Sequence, residues 1–215
     1  MVFAALPAGA QLGGPYGRHG EPMLNRYEQS RSGGNPDQWG KRLDSDSAKE
    51  RLEAVEMLGR SADSKTITYL LKAIDDTDPR VQAKAIDYLG SRRATEATPL
   101  LVQKLFFAGG HDSLRQRALT ALGKIGDPSA SRPILDYVGR ETNPAVRGTA
   151  IFALGELGDA TIRDDLNRLA AAETDPRLKR LMQEASMKIV TVRRAKTQDY
   201  VQPSSALVPP LRPEP

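Results

Sequence analysis

The sequence predicts an all-α fold, an α-solenoid (superhelix) of about four helical pairs plus a terminal half-repeat. Three observations carry this. Leu-Gly recurs as Leu58-Gly59, Leu89-Gly90, Leu122-Gly123 and Leu154-Gly155, with glycine spacings of 31, 33 and 32 residues. A steady period of this size marks a stacked array of one supersecondary unit. Other columns keep the same register. Four residues before each leucine stand Ala54, Ala85, Ala118 and Ala150, and eight before it Glu50, Val81, Leu114 and Val146. Those spacings share one helical face, and the alanines let a second helix approach closely. A second apolar pair then follows each glycine: Leu70 and Ile74, Leu101 and Leu105, Ile134 and Val138, Leu166 and Ala170. Each unit reads as helix, turn, helix, and neither helix can bury its stripe without its neighbours.

In chain order, residues 1–43 read as a flexible lead. Ala8-Gly9-Ala10 before Gln11 resembles the end of a secretory signal, although a basic start and a longer apolar core are missing. Two readings stay open: a signal at 1–10 whose start is incomplete, giving an exported protein, or an accidental apolar terminus. Gly13-Gly14-Pro15 and Gly33-Gly34-Asn35-Pro36 break any long period, leaving room for a short helix near Met23 to Gln29. Trp39, the only tryptophan, is expected to pack over the open end of the first repeat.

The repeat domain is expected over residues 44–190. The first unit has helices over Lys49–Leu58 and Lys65–Ile74, with Glu50 marking an outer face that meets water. The second runs from Asp78 to about Ala108 and ends in Phe106-Phe107-Ala108-Gly109-Gly110. Phe106 is expected to plug the longer turn there. Phe107 either does the same or anchors a partner. The third unit spans Asp112–Arg140, the fourth Asn143–Ala172, and Asp175–Lys188 makes the half-unit, with Met182 and Met187 filling core space. Asp78-Pro79, Asn143-Pro144 and Asp175-Pro176 should cap and start first helices. The glycine of each Leu-Gly is expected to end its helix in the left-handed conformation. Residues 191–215 read as a basic cluster (Arg193, Arg194, Lys196), then a proline-rich tail. Val208-Pro209-Pro210-Leu211-Arg212-Pro213 is either a ligand for an aromatic groove or plain tail.

Asp78-Pro79-Arg80-Val81 through Leu89-Gly90, and Val146-Arg147 through Ala150, Ala153-Leu154-Gly155 and Gly158-Asp159, resemble HEAT repeats, in the short class named after the phycobilisome lyases. The resemblance covers roughly Asp46 to Lys188. It implies the fold and leaves the function open, since such repeats serve in scaffolds, adaptors and a few enzymes.

One polar pattern accompanies the repeat. Arg51, Arg115 and Arg147 follow the valine/leucine column, with Gln82 in the second unit and Lys179 in the half-unit. Asp63, Asp127 and Asp159 stand four residues past the glycines, with Ala94 in the second unit. Arginine and aspartate are lost together in that unit. The expectation is a structural ladder in which these arginines pair with these aspartates.

Catalytic chemistry is hard to find. There is no cysteine, hence no thiol nucleophile and no disulfide. His19 and His111 are the only histidines, and neither has a glutamate neighbour on a helix. The iron-binding His-Glu motifs of the HEAT-repeat deoxyhypusine hydroxylases are therefore missing. No phosphate-binding or nucleophile-elbow glycine motif occurs. The reading is a non-catalytic scaffold or adaptor with no metal and no cofactor, whose partner is another protein. Candidate contacts on the second helices are Tyr69, Lys72, Gln103, Phe107, Asp136, Tyr137, Arg140 and Arg168, a mixture that suits a polypeptide. The resemblance also leaves a lyase- or chaperone-like role towards a chromophore protein. Weak nucleic-acid binding is a third reading. It is opposed by a net charge of only +4 and by Asp136, Asp164 and Asp165 among the basic residues. No stretch is long and apolar enough to span a membrane.

Overall fold

The structure is a computed structural model and describes residues 35–107 and 111–200. Those residues form α-helices and short 3-10 turns without a strand. The helices are α1 (Pro36–Arg42), α2 (Ala48–Arg60), α3 (Lys65–Ala73), α4 (Pro79–Ser91), α5 (Thr98–Phe106), α6 (Asp112–Ile125), α7 (Ser131–Arg140), α8 (Pro144–Leu157), α9 (Arg163–Ala172) and α10 (Pro176–Tyr200). The first helices α2, α4, α6 and α8 stack in a row that α10 continues. Each second helix packs against the first helix of the next unit. One continuous core runs from Leu43 to Ile189, and Ala54, Ala85, Ala118 and Ala150 are fully buried in it. The fold is the expected α-solenoid.

The Asx-Pro signature starts helices as expected. Asp78 Oδ1 accepts from the Arg80 amide (2.8 Å), Asn143 Oδ1 from Ala145 (3.0 Å) and Asp175 Oδ1 from Arg177 (2.8 Å). The same signature occurs a fourth time, beside the glycines that suggest a break. Asn35 Oδ1 accepts from the Asp37 amide at 2.9 Å and starts α1 inside the expected lead of residues 1–43. Trp39 packs half-buried against the core, with the Arg42 guanidinium 5.0 Å from its ring centroid. At the other end α10 continues as helix to Tyr200, past the expected boundary at 190. The expectations for residues 1–34, Gly109-Gly110 and the proline-rich segment from 201 lie outside the described residues.

The Leu-Gly glycines do not end their helices. Gly59, Gly90, Gly123 and Gly155 lie inside α2, α4, α6 and α8. Their purpose is volume. A Cβ on Gly90 would stand 2.8 Å from the Ala121 Cα, one on Gly123 3.3 Å from the Ala153 Cα, and one on Gly155 3.2 Å from the Ala185 Cβ. In these three, glycine faces alanine on the next helix, which brings consecutive first helices together, while Gly59 leaves room for the Tyr88 ring. The stops come three residues later, at Gly126 (φ 75°) and Gly158 (φ 66°). Their amides donate to Leu122 O at 3.1 Å and Leu154 O at 3.3 Å, closing the last turn. In the second unit that left-handed position is held by Arg93 (φ 53°), a conformation that disfavours a Cβ.

Two side chains differ from expectation. Met182 is fully buried, but Met187 is 64% exposed and fills no core space. Phe106 stacks edge-on against Tyr137 with centroids 5.6 Å apart, yet remains 46% exposed, so it covers the turn without plugging it.

Candidate functional site

The sequence points to two sets of polar residues, and the structure separates them. The arginine column is structural, but its partners are not those expected. Arg51 donates through Nε and Nη2 to the two carboxylate oxygens of Asp76, both at 2.8 Å, and through Nη1 to Ser45 O at 2.9 Å. Arg147 pairs with Glu173 and donates from Nε to Val138 O at 3.0 Å. Arg115 bonds Asp112 at 2.8 Å and Phe107 O at 3.1 Å. None of the three forms an ion pair with Asp63, Asp127 or Asp159, and the reason is geometric. Each arginine sits at the start of a first helix. Each aspartate lies 12 residues on, beyond the far end of that helix, roughly 18 Å away at 1.5 Å per residue. Those aspartates instead cap the turn or helix that comes next: Asp63 accepts from the Lys65 amide, Asp127 from Ser129 and Asp159 from Thr161, each at 2.9 Å.

The acids that meet Arg51 and Arg147 lie in the turns between units, where Glu141 holds the equivalent place. Asp76 Oδ1 accepts from the Asp78 amide (2.8 Å), Glu141 Oε1 from Asn143 (2.8 Å) and Glu173 Oε1 from Asp175 (2.9 Å). Burial pushes the Asp76 carboxyl up, but the Arg51 guanidinium and the Asp78 amide outweigh it and leave it below the ordinary value. The Glu173 carboxyl is lowered by the Asp175 amide, against its burial, with Arg147 adding to the effect. Burial also raises Glu141, but the Tyr137 hydroxyl and the Asn143 amide together overcome it and leave it lowered. The sequence holds a signal for this that the ladder reading misses: Asp76-Thr77-Asp78-Pro79, Glu141-Thr142-Asn143-Pro144 and Glu173-Thr174-Asp175-Pro176 are one motif.

The third unit departs from the pattern. Glu141 stands where the other arginines find their acid, but it takes the Tyr137 hydroxyl. Arg115 Nε is left buried without a partner among the described residues. Burial first, and the adjoining Glu141 carboxylate second, push the Tyr137 phenol well above its usual value.

The candidate contact residues divide into occupied and open ones. Tyr69 is half-buried under α1: its hydroxyl donates to Asp37 at 2.9 Å, and its ring fills the space a Gly40 Cβ would need. Tyr137 is 5% exposed. Both were expected on a contact surface and both serve the fold. Lys72 is exposed but pairs with Asp44 at 2.5 Å. Gln103, Phe107, Asp136, Arg140 and Arg168 are exposed. Three of these five (Asp136, Arg140 and Arg168) line a groove of about 520 Å³ between α7 and α9. Its uncharged lining is Leu135, Gly139 and Leu169. Arg132 and Arg168 both bond Asp165 at its rim. Arg140 and Asp136 have no ion pair among the described residues. Arg132, Gly139 and Asp165 are groove residues that the sequence reading did not place among the contacts. Gly139 carried a signal, as a helical glycine outside the Leu-Gly register.

HEAT repeats as a family match residues 36–106 and 103–186. The match starts at α1 and covers every unit, so the chain belongs to the HEAT-repeat family. No curated protein matches it. Among the described residues no helix is long and apolar enough to cross a membrane.

Proposed function

We propose that the protein is a non-catalytic scaffold or adaptor that holds another polypeptide on the exposed face of its second helices. HEAT repeats commonly serve as protein-interaction scaffolds, and a stack of helical pairs offers one long side that no further layer covers. The observation that supports the reading best is the groove between α7 and α9. There, charged side chains of both signs stand beside leucine and glycine, with Arg140 and Asp136 unpaired among the described residues. Such a mixture of apolar and charged lining is the make-up of a polypeptide contact. The test is native co-purification of the full chain with mass spectrometry of the eluate. A stoichiometric protein lost on Arg140→Ala combined with Asp136→Ala supports the scaffold. A pigment or nucleic acid in its place would sink it.

A further inference from the structure

Resting on the scaffold reading, we infer that the groove between α7 and α9 takes an extended acidic segment of its partner. A carboxylate seats on Arg140, the partner backbone lies over Gly139, and a bulky apolar side chain rests on Phe107.

Charge is the first argument. Three guanidiniums, of Arg132, Arg140 and Arg168, face two carboxylates, of Asp136 and Asp165. Arg132 and Arg168 share Asp165, so that carboxylate is already satisfied twice over. Arg140 keeps five donors with no acceptor side chain among the described residues, and a planar carboxylate matches that fork. Asp136 lies one turn back along α7, so the acidic part of the ligand is confined to the Arg140 end.

Gly139 is the second and independent argument. Gly90, Gly123 and Gly155 are explained by a facing helix. At Gly139 an added Cβ would meet nothing within 4 Å. A helical glycine with open space above it weakens its helix and serves no internal packing. It leaves room for another backbone to pass close to α7 in the groove.

Phe107 is the third. By repeat register Phe106-Phe107 stand where Gly139-Arg140 stand one unit later, at the ends of α5 and α7; Phe107 lies outside the groove, in the preceding unit, and is 62% exposed. Adjacent packed helices lie about 8–10 Å apart, and an extended chain advances about 3.3 Å per residue. A ligand crossing from Phe107 to Arg140 therefore needs an apolar side chain and a carboxylate about three residues apart.

The test pans a phage library of random dodecapeptides on the full chain, then measures the enriched peptides by fluorescence anisotropy against variants. The expected consensus holds Asp or Glu about three positions from Leu, Ile, Phe or Met. Arg140→Ala should weaken binding about tenfold or more, the loss of a charge-assisted contact. Gly139→Ala should weaken binding while raising the melting temperature, a pairing of opposite signs that a merely structural glycine does not give. A consensus without acids overturns the inference, as does an acidic consensus that binds Arg140→Ala equally well. So does an Arg140-dependent single-stranded oligonucleotide that displaces the peptides. An empty selection also overturns it and leaves the scaffold reading to the co-purification, where a partner retained on the second helices keeps that reading standing.

Discussion

At the scale of single residues, glycine has three uses in this chain, and each gives a different substitution outcome. Gly90 keeps two first helices together, and a methyl there meets the Ala121 backbone. Gly90→Ala should cost about 1–3 kcal/mol, the usual range for overpacking, read as a lower urea midpoint with unchanged slope. Gly139 faces open space, so Gly139→Ala should gain about 0.5–1 kcal/mol from helix propensity alone. Arg93 holds a left-handed position that Gly126 and Gly158 occupy elsewhere, and Arg93→Gly should gain about 1 kcal/mol by the same measurement. The sequence shows where glycines recur but not whether conformation or volume makes them necessary. The Leu-Gly column reads as a stop for that reason. The decisive clue is a second column, Ala121, Ala153 and Ala185, at the same period and facing the glycines.

At the scale of elements, the turn between units is where the polar stability is concentrated. A double-mutant cycle on Arg147→Ala and Glu173→Ala should give a coupling of about 1–3 kcal/mol, since Glu173 is nearly buried. The same cycle on Arg147 and Asp159, the pair the periodicity suggested, should give none beyond roughly 0.5 kcal/mol. Acid should act on these turns as well. The carboxyls of Asp76, Glu141 and Glu173 all lie below their ordinary values, and Asp78 is lowered to about 2, by the Arg80 side chain first and its amide second. Unfolded, each regains its ordinary affinity for protons, near pH ~4. The stability they contribute is complete above that value and is lost as pH falls from about 4 towards 2. Thermal melts from about pH 7 down to about pH 2 should show a plateau and then a decline in that window, made shallower by Asp78→Asn. The repeat of Asp/Glu-Thr-Asx-Pro was legible in the sequence. Its pairing with the arginine was not, because the arginine and its acid lie 25 or 26 residues apart and only the stacking of helices brings them together.

At the scale of the whole molecule, the solenoid was legible because it is periodic: every column that set the period is buried, except Glu50 and the partly exposed Gly59 and Leu114. Its N-terminal edge was less so. Asn35-Pro36 stands next to Gly33-Gly34, where glycine reads as a break, although the dipeptide is the helix start used three times later. The units are also unequal. The second lacks the capping aspartate, replaced by Ala94, and the left-handed glycine, replaced by Arg93. Arg92 bonds the Thr66 hydroxyl there instead. In a linear array such a unit opens on its own account. Amides of α4 and α5 should exchange with deuterium faster than those of α8, and Arg93→Gly should narrow the gap. Elsewhere the chain is close to modular. Pro144 to Asp175 carries its own arginine, that arginine's acid and the cap for the helix after it. A second copy of those 32 residues spliced in after Asp175 would join Asp175 to Pro144, an Asx-Pro pair like the present Asn143-Pro144, and would keep Asp175-Pro176 at its far end. The protein can therefore be lengthened by duplication in a single genetic step, with the Gly155 of one unit meeting the Ala153 of its copy as Gly123 meets Ala153 now.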